Sequence, residues 1–87
     1  MKLERELELT VLRVLNLCAG FQMSRGTLLS NVRMESDPVP KDSTIDGTLR
    51  RLEQAGEVEV FPNEDTGPAY EIAREGIARL KRAKVID

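Results

Sequence analysis

The chain has 87 residues with two Phe, one Tyr and no Trp. This is room for one small domain over residues 1–87, with a modest core built from Leu, Val, Ile and Ala. A formal net charge of −2 and a pI of about 5.2 exclude a global attraction to nucleic acid, and the lone Cys18 excludes a disulfide framework and suits a reducing compartment. No apolar run approaches the ~18 residues of a membrane span, and the opening Met-Lys-Leu-Glu-Arg-Glu is too charged for a signal peptide, so a cytoplasmic protein with no membrane partner is expected.

Residues 3–19 read as a helix, with Leu3, Leu7, Val11, Val14, Leu15 and Cys18 recurring at three- and four-residue steps to form one apolar stripe. Cys18 is expected to be a small buried hydrophobe. Gly20 suits the stop. Leu9 and Leu12 fall off that stripe, Leu9 lying opposite its centre, so both are expected in water in a monomer. Phe21 to Met23 suits a single edge strand. Ser24 can then cap a second helix over 25–34 with Leu28, Leu29 and Val32 inward.

The run from Glu35 to Lys41 contains Pro38 and Pro40, each pushing the residue before it out of helical geometry, and reads as a loop. Asp42 or Ser43 caps a third helix that ends at Gln54 or Ala55, with Gly56 beyond and Ile45, Leu49 and Leu52 inward. The period then changes to two. Val58 and Val60 share one strand face, with Glu57, Glu59 and Phe61 on the other. A seven-residue loop, 62–68, leads to a return strand with Tyr70 and Ile72 inward, and a last helix over 74–84 turns Ile77 and Leu80 inward.

Two motifs carry a family resemblance. Thr48 to Val58, TLRRLEQAGEV, is similar to the xLxxLxxxGxV pattern that closes a recognition helix, and Tyr70 to Gly76 followed by Leu80 is similar to YxLTxxGxxxL. The chain resembles the winged helix-turn-helix superfamily, including PadR-like and MarR-like DNA-binding domains. The resemblance implies a mainly α fold with a small β-wing: helix, short strand, helix, helix, two-stranded wing, helix. Ala73 departs from the pattern, standing where a Thr would cap the last helix.

The function so implied is a prokaryotic or phage transcriptional regulator or accessory factor that binds double-stranded DNA, with residues 43–55 in the major groove. Ser43, Thr44, Gly47, Arg50 and Arg51 would lie nearest DNA, and Arg25, Arg33 and Lys41 would contact phosphate. Charge sets limits on this reading. Five acidic residues and no basic one lie between Glu57 and Glu71, so phosphate would repel the wing. The alternative is a winged-helix protein-interaction module without DNA binding. On the third helix the bland reading is a solvated face. The last helix holds Arg74, Arg79, Lys81, Arg82 and Lys84 against Glu75 and Asp87, either a phosphate or acidic-partner patch or an ordinary charged face. Exposed Leu9 and Leu12, with Val85 and Ile86, would suit self-association into a homodimer.

Nothing points to catalysis or to a cofactor. The chain has no His and no Cys pair, and it lacks a glycine-rich phosphate loop after a strand. Acidic pairs such as Glu57 and Glu59 are expected to be solvated.

Overall fold

The computed structural model describes residues 2–86 as four helices and a small three-stranded antiparallel sheet, mainly α, an arrangement consistent with a winged-helix regulator. Helix α1 spans Lys2–Asn16, strand β1 Met23–Ser24, α2 Arg25–Glu35, α3 Asp42–Gln54, β2 Val58–Phe61, β3 Ala69–Ile72 and α4 Arg74–Arg82. Asp87, counted in the charge of the last helix, lies outside the described residues. No described helix is long and apolar enough to cross a membrane.

Helix α1 is the hub, packed on by α2, α3, β3 and α4. It ends at Asn16, three residues sooner than its apolar period suggests. The chain tightens there, with Leu17, Cys18 and Ala19 N–H groups donating three residues back, and turns at Gly20 with φ +91. That turn places Phe21 in solvent, so β1 is Met23–Ser24 rather than 21–23. Cys18 is half-buried against the core rather than sealed within it.

The expectation for Leu9 and Leu12 is corrected. Leu12 is fully buried, and Leu9 and Ile86 pack half-buried against the core, leaving Val85 the only exposed member of that set. The reason is geometric. A helix with neighbours on several sides needs a wider apolar arc than one stripe, and α4 covers the side that Leu12 faces. Leu3 errs in the opposite sense: α1's first turn runs past the core and leaves it exposed. Leu12 is therefore not available at the surface to a second copy.

Helix α2 begins as its cap implies, with the Ser24 hydroxyl accepting from the Thr27 N–H, and buries Leu28, Leu29 and Val32. Helix α3 starts one residue earlier than a side-chain cap would have it. Lys41 occupies the cap position without a side-chain bond, because Asp42 is turned to Arg33 instead. Ile45, Thr48, Leu49 and Leu52 are buried. Its end is a Schellman motif: Gly56, at φ +74, donates to the Glu53 carbonyl at 3.0 Å, and Glu57 donates to Leu52 at 2.9 Å.

In the sheet β3 is central, in the order β1-β3-β2, with Met23 opposite Tyr70, and Val58 opposite Ile72. The inward alternation of Val58, Val60, Tyr70 and Ile72 holds, Val60 being half-buried. Glu57 is a correction. It is not solvated: its carboxylate accepts from Arg79 at 2.9 Å. Helix α4 indeed starts at Ala73 without a side-chain cap, and ends in a second Schellman motif with Lys84 at φ 59, where glycine is usual.

Candidate nucleic-acid interface

Helices α2 and α3 are held at their mutual angle by two ion pairs. Arg25, at the start of α2, meets Asp46 of α3 in a two-pronged contact, Nε to Oδ1 at 3.0 Å and Nη2 to Oδ2 at 2.7 Å. Its backbone N–H also donates to the Pro68 carbonyl at the base of the wing. The hydrogen bond to Asp46, with its charge, raises the Arg25 pKa further above its ordinary value. Arg33, near the end of α2, pairs with Asp42 at the start of α3. The acids that look unfavourable near phosphate thus serve as struts, and two of the cations expected on phosphate are tied to them.

Arg51 is also engaged, away from α3's outward face. It donates to Glu8 of α1 at 3.4 Å and to the Thr48 hydroxyl at 3.2 Å. Glu8 in turn accepts from Arg79 of α4 at 2.5 Å, and Arg79 reaches Glu57, the residue just before β2. This chain Arg51–Glu8–Arg79–Glu57 joins α3, α1, α4 and β2. Burial works against the Arg79 charge, but the hydrogen bonds to Glu57 and Glu8 outweigh it and raise its pKa.

What remains on α3's outward side is Lys41, Ser43, Thr44 and Arg50, all exposed, with Gly47 half-buried among them. Lys41 and Arg50 have no ion-pair partner among the described residues. The Asp42 and Ser43 backbone N–H groups have no acceptor among the described residues either, while those of Thr44 and Ile45 donate to the Lys41 carbonyl. Small side chains, a helix N-terminus with free donors and a guanidinium two turns along share one surface. Such a surface can admit a groove edge, hold a phosphate and reach a base.

The neighbouring surfaces differ. Burial, then the Asp46 charge, pushes the Tyr70 phenol pKa up. On the wing's outer face Glu59 and Glu71 stand directly opposite each other across β2 and β3, with no cation paired to either among the described residues. At the tip the Asn63 carboxamide oxygen accepts from the Asp65 and Thr66 N–H groups, ordering a turn that presents Glu64 and Asp65. Arg74, Lys81 and Arg82 of α4, and Lys84 just beyond it, are exposed and have no ion-pair partner among the described residues; the helix packs on α1.

Sequence spacing finds the outward set on α3 because it is a matter of helical period. It misses the struts, since Arg25 and Asp46 lie 21 residues apart and Arg79 and Glu8 lie 71 apart. No local signal marks such pairs.

No protein-family model and no curated protein sequence matches the chain. Among solved structures it is similar to a transcriptional regulator from Clostridium thermocellum, at 25% identity and a TM-score of 0.73, over 90% of this chain and 76% of that one.

Proposed function

We propose that the protein is a DNA-binding transcriptional regulator of the winged-helix type that reads the major groove with α3. The observation that carries this reading is the outward face of α3. Lys41 and Arg50 are its only unpaired cations among the described residues, set among Ser43, Thr44 and Gly47 beside a helix N-terminus with free N–H donors. The likeness in fold to a transcriptional regulator supports it. So does the resemblance of the two motifs to PadR-like and MarR-like domains.

In this reading Arg50 contacts a base edge, guanine being the best match for its fork, and Lys41 with the α3 N-terminus holds phosphate. Arg25 and Arg33 act chiefly as struts that fix how α3 is presented. The wing stays clear of the backbone, since Glu64 and Asp65 would meet phosphate charge.

Fluorescence anisotropy with a random duplex and with a duplex selected from a randomised pool tests the reading. One protomer neutralising about two to four phosphates gives a slope of log affinity on log salt of about −2 to −4. Arg50→Ala is expected to cost about 1–3 kcal/mol on the selected site and little on random DNA. No binding to either duplex at low salt, or unchanged binding by Arg50→Ala with Lys41→Ala, would refute it.

A further inference from the structure

A trough of about 370 Å³ runs between the first half of α1, the loop joining α2 to α3, and the flank of α3 that carries Thr44, Thr48 and Arg51. Leu7 lines its inner wall, and Leu3 and Val39 stand on its edges 69% and 63% exposed. Four carboxylates, Glu4, Glu6, Glu35 and Asp37, face one cation, Arg51. Arg51 is held by Glu8, and Glu35 by Arg13 at 3.1 Å. Glu6 and Asp37 have no ion-pair partner among the described residues.

The trough is therefore apolar inside and on its edges, and anionic around them. Small-ligand sites enclose most of their occupant, whereas this trough is open, with Leu3 and Val39 exposed on its edges. A longer occupant would cover both. We propose that this trough docks a short amphipathic protein segment whose apolar residues cover Leu3 and Val39 and whose lysines or arginines meet Glu6 and Asp37. Of α3's outward set only Thr44 lines the trough, while Lys41, Ser43, Gly47 and Arg50 do not, so a docked segment meets that face at its edge, and the proposal does not rest on DNA binding.

Amide shifts of the isotope-labelled protein test it, with two synthetic peptides as probes. One alternates pairs of leucine and lysine; its twin carries glutamate in place of each lysine. The lysine peptide is expected to saturate below about 1 mM, shifting the amides of residues 3, 4, 6, 7, 10, 35–37, 39, 44, 48 and 51, while the glutamate twin shifts none. Reversing both exposed acids, Glu6→Lys with Asp37→Lys, is expected to weaken binding about tenfold or more, and Leu3→Ser with Val39→Ser several-fold. The wing-tip pair Glu64→Lys with Asp65→Lys is expected to leave affinity unchanged, which separates docking from general attraction to anionic surface.

Shifts that fall on the wing instead, no saturation, equal binding of the glutamate twin, or an unaffected trough variant would each overturn the proposal. So would sedimentation showing a wild-type dimer that the Glu6→Lys, Asp37→Lys variant loses, since the trough would then belong to a second copy.

Discussion

Replacing Gly76 with alanine is expected to destabilise the protein, although glycine-to-alanine changes inside helices ordinarily help by about 0.5–1 kcal/mol. A Cβ at position 76 would sit 2.4 Å from the Glu57 carbonyl oxygen, 2.8 Å from Ile72 Cγ1 and 3.0 Å from Leu12 Cδ2. The two side chains can shift. The oxygen is backbone, and it already accepts from the Ala73 N–H at 2.9 Å. To regain ordinary contact, α4 must retreat from the Glu57 carbonyl by about 1 Å, weakening that hydrogen bond, worth about 1 kcal/mol, and loosening the packing over Leu12. Overpacking of this kind costs about 1–3 kcal/mol. With the lost hydrogen bond added and the helical gain subtracted, Gly76→Ala is expected to be about 1–3 kcal/mol less stable than wild type, a fall in Tm of about 5–20 °C. Gly26 is the control: it too is helical, and a Cβ there meets nothing within 4 Å. Gly26→Ala is expected to stabilise by about 0.5–1 kcal/mol. Urea unfolding followed by circular dichroism reads both values. Gly76→Ala unfolding at the same or a higher urea midpoint than wild type, with an unchanged slope, would refute the close approach of α4 to the Glu57 carbonyl.

Arg79→Met removes the cation shared by Glu8 and Glu57, side chains only 18% and 16% exposed. A loss of about 1–3 kcal/mol is expected, between the values for exposed and fully buried pairs, and is read by the same unfolding assay. Lys84→Gly relieves a left-handed residue at the end of α4 (φ 59) and is expected to raise stability by about 0.5–1 kcal/mol by thermal unfolding. Tyr70, the only tyrosine, has its pKa raised from the ordinary 10.0, first by burial. The unfolded chain then loses its phenolic proton at lower pH than the folded one. The associated stability is whole below pH 10 and falls as pH rises through the folded value. Ultraviolet titration is expected to show phenolate forming later in the native protein than in urea.

The sequence by itself determines most of the secondary structure and much of α3's outward face. Ile45, Leu49 and Leu52 inward, with Ser43, Thr44 and Arg50 outward, follow from a period of 3.6 that α3 obeys over its length. The change to period two after Gly56 marks β2 for the same local reason, and Ser24 and Gly56 act as cap and stop through bonds to residues within a turn. Even the absent cap at Ala73 is legible.

Tertiary structure decided the rest. Leu12 is a core residue because α4 closes over α1, and no property of α1 alone says where α4 will lie. Gly76 can be a motif letter in sequence, but its necessity is the Glu57 oxygen 2.4 Å from its missing Cβ. The cations make the same point most plainly. Arg25, Arg33, Arg50 and Arg51 are one residue type on two adjacent helices, yet of these four Arg50 alone has no ion-pair partner among the described residues. Charge is written in the sequence, but whether a charge is spent within the fold depends on which helices cross and at what distance. Coulomb energy and hydrogen bonding act through space, and only packing sets that space.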